Sequence, residues 1–158
     1  MQGDRKVIQH LNTVLANQLI AINQYFIHAR IYKNWGIEEL NTKEYHFSIE
    51  EMKRSDKVIQ RILFLEGLPN VQDLGKLLIG EHTEEMLNAD YNLELKAVDD
   101  LNEAISYCED NQDYVSRELL EKLLNKQEDH IDWLESQFYL IKETGIENYI
   151  QSMIDDKH

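Results

Sequence analysis

Four stretches of this chain, about 28 residues each, contain neither proline nor glycine: residues 6–35, 38–66, 82–109 and 113–143. Glycine and proline punctuate helices, so their absence over such lengths permits helices of ~42 Å at 1.5 Å per residue. Within each stretch apolar residues recur at alternating steps of three and four, the period of a helix with one buried face. In the first the stripe is Leu11, Leu15, Gln18, Ile22, Tyr25 and Ala29, and in the second Phe47, Glu51, Arg54, Val58, Ile62 and Leu65. The third carries Leu87, Tyr91, Glu94, Val98, Leu101, Ile105 and Cys108, the fourth Leu120, Leu123, Gln127, His130, Leu134 and Ile141. A shorter amphipathic piece, residues 147–154, follows Gly145.

The connections fix the topology. Gly36 and the 110–112 region allow only tight turns, whereas Gly67-Leu68-Pro69 stops the second helix and opens a loop of residues 68–81. Two short links around one long link predict an all-α, ferritin-like up-and-down four-helix bundle with a long crossover and a short C-terminal fifth helix. All 158 residues are expected to form a single domain.

Charge narrows the partners. The formal net charge of −14 argues against nucleic acid, whose phosphates require a basic surface. The lone Cys108 suits a reducing compartment. No charged-then-apolar leader opens the chain, and no run approaches the ~18 apolar residues of a membrane span. A cytoplasmic protein with no membrane partner is the expectation.

Each of the four stripes is interrupted by polar residues near mid-length: Gln18, Glu51 with Arg54, Glu94, and Gln127 with His130. In an antiparallel bundle these positions meet at one level, so they predict a shared interior site. Di-metal bundles build such a site from one Glu on each of two helices and a Glu-x-x-His on each of the others. Here Gln, Arg and Gln stand where Glu, His and Glu would be needed. Four carboxylates balance two dications; two carboxylates and one arginine leave about −1 before His130 titrates. Arg54 cannot lose its proton, so it opposes cations, and it is predicted to pair with Glu51 or Glu94. Glu94 with His130 could still hold a single weakly bound cation.

The chain resembles bacterioferritin, the haem-containing branch of the ferritin family, over essentially its whole length. The match is carried by the opening MQGD and KVIQ, AINQYF at 21–26, NWG at 34–36, IEEMK at 49–53, RILFLEGLPN at 61–70, LGKLLIGE at 74–81, DYVSRELL at 113–120 and HIDWLE at 130–135. The resemblance implies a shell of about two dozen subunits storing ferric mineral, with a di-iron ferroxidase centre in each bundle. Glu51, Glu94 and His130 match the family's ligands; positions 18, 54 and 127 depart from it. That departure makes an intact di-iron centre, and hence ferroxidase activity of this subunit alone, unexpected.

On the residues alone Met52 fits an ordinary core methionine, on a second stripe with Tyr45, Ile49, Ile59 and Leu63. The resemblance instead makes it an axial ligand of haem b, one methionine from each of two subunits across a two-fold axis. Asn23, Phe26, Tyr45 and Lys53 are then candidate pocket residues. His46 and Glu50 are candidates for transient cavity iron, although His28, His46 and His82 also read as surface histidines. Tyr25 and Trp133 fall at aromatic positions near the family's metal site and fit core roles equally. Leu68, Pro69, Lys76 and Leu77, with Glu81 and Glu85, form a candidate surface for a small ferredoxin electron donor; packing of the loop itself is the simpler account.

The expected function is that of an iron-storage subunit keeping shell and haem roles without its own ferroxidase centre. Such a subunit would work beside a second bacterioferritin chain with intact ligands. Two alternatives remain: a ferroxidase using only Glu51, Glu94 and His130, or a non-storage oligomeric haem protein that carries electrons.

Overall fold

The computed structural model describes residues 1–70 and 75–155. Five helices follow one another: α1 (Arg5–Trp35), α2 (Glu38–Phe64), α3 (Thr83–Asp110), α4 (Tyr114–Thr144) and α5 (Ile146–Ser152). Helix α1 packs along α2 and α3 along α4, α1 also meets α3, and α5 lies on α4. The architecture is the predicted four-helix bundle with a short fifth helix.

The helix ends follow from local chemistry. Asp4 caps α1 by accepting the Lys6 and Val7 N–H groups, and Asp113 caps α4 through the Ser116 N–H. Arg61 of α2 then donates to Asp113 and to the Ser116 hydroxyl, tying α2 to the start of α4. Gly36 ends α1 at φ 80°, where its N–H and that of Ile37 close on Lys33 and Tyr32 carbonyls. At the end of α2 the left-handed residue is Glu66, at φ 62°. Gly67 serves close approach: a Cβ there would sit 2.7 Å from the Ile8 methyl.

The crossover runs along α1. Leu68 and Asn70 bond the Asn12 amide, and the Leu78 and Gly80 N–H groups bond Gln24 and His28. Residues 12 and 28 are ~24 Å apart on a helix, so the loop returns along half the bundle. Residues 71–74 of that expected loop lie outside the described residues.

Two apolar clusters fill the bundle ends. One gathers Val7, Leu11, Leu15, Val58, Ile62, Leu101 and Leu120; the other gathers Tyr32, Leu40, Met86, Leu87, Leu134 and Tyr149. Between them lies a smaller cluster of Ile20, Ala21, Tyr25 and Leu93, backed by Phe47. The middle of the bundle is therefore where polar side chains must satisfy one another. No helix among the described residues is long and apolar enough to cross a membrane.

Candidate metal and haem sites

The six expected positions converge. Gln18, Glu51, Glu94, Gln127 and His130 are buried, and Arg54 is largely so. Gln18 from α1, Glu51 from α2 and Gln127 from α4 line one small cavity with room for about one water. Both polar atoms of the Gln18 amide are buried there without a partner among the described residues.

Arg54 Nη2 donates to Glu51 Oε2 at 2.9 Å, one turn along the same helix. Of the two carboxylates open to it from sequence, Arg54 takes Glu51. Glu94 is held separately: His130 Nδ1 lies 3.1 Å from Glu94 Oε1, and the Tyr25 hydroxyl donates to the same oxygen. Burial raises the Glu51 carboxyl above its ordinary range and Glu94 adds to this, while Arg54 and His130 pull it back. The Tyr25 phenol is pushed well up by burial and by Glu94, so it stays a hydrogen-bond donor.

Aromatic rings wall this cluster. The Tyr25 ring meets His130 edge-on at 5.1 Å, Phe47 lies over His130 at 3.8 Å, and Trp133 abuts Phe47 at 5.2 Å. Tyr25 and Trp133 are thus packed about the cluster, as both sequence readings allow.

A second interior polar layer was not read from the sequence. His28, expected as a surface histidine, is fully buried with Gln24, Glu44 and Asp90. The correction has a plain cause: residue 28 lies one turn beyond Gln24 on the inward face of α1, beneath the crossover. Its Nε2 accepts the Gly80 N–H at 3.2 Å, which places the ring hydrogen on Nδ1, 3.0 Å from Asp90 Oδ1. Gln24 donates to the same Asp90 oxygen at 2.9 Å and accepts the Leu78 N–H.

Glu44 faces Asp90, and no donor among the described residues reaches its oxygens. Burial, together with the Asp90 charge, holds Glu44 well above the usual carboxylate range. Burial alone would raise Asp90 too, but the facing Glu44 carboxyl and the contacts from His28 and Gln24 outweigh it and hold Asp90 low. His28, Glu44 and Asp90 form the one trio of ligand-type atoms within 4.8 Å among the described residues. As a metal ligand His28 would have to surrender its Nδ1 hydrogen and turn an Nε2 hydrogen against the Gly80 N–H. A proton shared between two carboxyls fits these contacts better.

The other expected residues lie outside the bundle core. Met52 is 50 % exposed and stands two turns along α2 from exposed Tyr45, whose ring lies 6.3 Å from that of exposed Phe26 under the Arg30 guanidinium. An apolar thioether face of this kind suits a haem shared with a second copy; the residues fit the group. Asn23 turns its amide back to the Leu19 carbonyl, and Lys53 reaches Glu50 at 3.4 Å, so neither points to a haem by its contacts. His46 is exposed and Glu50 is engaged by Lys53. His82 is exposed and caps α3 through the Glu85 N–H. Leu68, Lys76 and Leu77 are exposed and Pro69 is half-buried along the crossover.

The di-metal ligand set does not fit so well. A guanidinium occupies the cluster, two amides replace carboxylates, and Glu51 is committed to Arg54.

Comparison with known proteins agrees with this architecture. The ferritin-like domain family matches residues 8–144. The chain is 44 % identical over 151 residues to a bacterioferritin of Brucella melitensis, covering 96 % of this chain and 94 % of that one. It is 43 % identical over 155 residues to a bacterial ferritin of Pseudomonas aeruginosa, covering 98 % and 100 %. A bacterial ferritin of Synechocystis is 40 % identical over 155 residues, covering 98 % and 99 %.

Proposed function

This chain belongs to the bacterioferritins, within the ferritin family, and from that premise we propose that it is an iron-storage subunit without a working di-iron centre of its own. The Arg54–Glu51 ion pair carries this reading. A permanent cation bound to one of two interior carboxylates repels a second cation from the place where a metal would sit. Gln18 and Gln127 remove two further negative charges from the same cluster.

The subunit assembles into a hollow shell of about two dozen chains and holds haem at a two-fold contact. Met52 would supply a thioether to that haem from each copy, with Phe26 and Tyr45 as further residues of its pocket. Bound haem would give the shell a one-electron carrier for reducing stored ferric mineral. Ferrous oxidation is then supplied by a partner bacterioferritin chain with intact ligands, in a mixed shell. A small ferredoxin docking on the exposed crossover residues Leu68, Lys76 and Leu77 is the matching electron donor.

A second reading rests on the His130–Glu94 contact at 3.1 Å. Removing one shared hydrogen there would leave a two-atom site for a single divalent cation. Titration of iron-free protein with cobalt(II) separates the readings by its ligand-field spectrum. The main reading expects no site filled by two ions per chain; two tight ions per chain, lost on Glu51→Gln, would overturn it.

A further inference from the structure

We propose that the mouth of the interior cluster is a binding site for a small tetrahedral oxyanion, with inorganic phosphate as its chemical class. A cavity of about 300 Å³ opens between α2 and α4, bounded at its inner end by Arg54, His130 and Phe47. Water occupies about 30 Å³ per molecule in the liquid, so there is room for an oxyanion with several waters.

Three basic residues line this cavity in a chain whose net charge is −14: Lys43 and Arg54 from α2, and Lys126 from α4. The Lys43 ammonium lies 5.9 Å from the Trp133 ring centre, over its face, which holds it at the rim. Lys43 and Lys126 have no acidic partner among the described residues. The Arg54 Nε–H is buried and has no acceptor among the described residues. Cations on two facing helices, with unfilled donors, match the acceptor oxygens of a phosphate.

The carboxylates present do not reverse this. Glu50 is already engaged by Lys53, which leaves Asp129 as the unengaged acid of the lining. A divalent cation would need converging ligands, yet no three ligand-type atoms of His46, Glu50, Asp129 and His130 lie within 4.8 Å of one another. With Arg54 balanced by Glu51 and Glu50 by Lys53, the two lysines outnumber Asp129 by one charge, so charge balance and ligand geometry both favour an anion.

The proposal rests on Arg54 remaining in the cluster as a cation, but it is read in iron-free protein, independently of ferrous oxidation. Iron-stripped, assembled protein is titrated with inorganic phosphate by calorimetry and by phosphorus NMR line broadening, at low and moderate salt. One phosphate per chain is expected, weakening with salt, with affinity at least ~10-fold lower in Lys43→Gln/Lys126→Gln. Circular dichroism and the assembled size of the variant establish that it is folded. Unchanged phosphate affinity in the folded double variant, or no binding to the parent, would overturn the proposal. So would zinc(II) binding in this cavity that competes with phosphate and is lost on His46→Ala.

Discussion

Arg54 and Glu51 form an interior ion pair at 2.9 Å, one helical turn apart, in the section of the bundle where the apolar core is thinnest. Glu51 is buried and Arg54 only partly exposed, so each compensates the other for leaving solvent.

Removing the arginine should therefore expose that dependence. Arg54→Met is expected to destabilise the assembled protein at neutral pH by about 2–3 kcal/mol, less than a fully buried pair because Arg54 is partly exposed. The Glu51 carboxyl is already raised by burial, and loss of Arg54 raises it further. A carboxyl with a raised folded pKa is least costly when protonated, so the deficit should shrink as pH falls. Denaturant melts between pH 5 and 8 check this; adding Glu51→Gln to Arg54→Met should restore much of the loss at pH 8.

Glu44 gives a second pH signature. Its folded pKa is raised well above the ordinary value of 4.5, so its contribution is full below that value and is lost as pH rises through the folded one. Glu44→Gln keeps the hydrogen-bonding shape without the titrating proton. The variant should match the parent near pH 5 and exceed it in thermal midpoint as pH climbs. A variant that falls behind the parent at high pH would contradict the protonated pair.

Asp90 has the opposite sign, since its folded pKa is held below 3.8. Asp90→Ala strands His28 and Gln24, at a cost of about 1–3 kcal/mol for each unpaired buried group. Because Gln24 and His28 also hold Leu78 and Gly80, amide exchange at those two N–H groups should rise along with the overall loss.

Much of this was legible in the sequence, and the misses have physical causes. Gly36 and the 110–112 turn announce hairpins, and uninterrupted three-four steps announce the helices. Gln18, Glu94 and Gln127 stand out because apolar residues of their stripes flank them, and Glu51 with Arg54 because the pair breaks the stripe between Phe47 and Val58. Asp90 sits on the same steps, between Met86 and Leu93, but neighbouring Tyr91 offers an apolar residue that hides it. Tyr91 is in fact only partly buried and gives its hydroxyl to Glu135. His28 does not read as inward from the sequence, because one partner, Asp90, is itself hidden and the other is a backbone N–H of the crossover, which no side-chain pattern encodes. Gly67 was legible as a helix stop, but its role there is close approach to Ile8, while Glu66 takes the left-handed position.

The exposed thioether yields a spectroscopic prediction. Met52→Leu preserves an apolar face while deleting the sulfur, so shells should assemble at normal size but lose the low-spin haem spectrum on reconstitution. Retention of a bis-thioether haem signature in that variant would remove Met52 from the haem site.

The most direct measurement is stopped-flow ferrous oxidation by shells of this chain alone, set against the restored variant Gln18→Glu/Arg54→His/Gln127→Glu. The account predicts background oxidation in the parent and a rapid phase, with two ferrous ions per subunit, only in the restored protein. A rapid phase of equal rate and stoichiometry in the parent would contradict it.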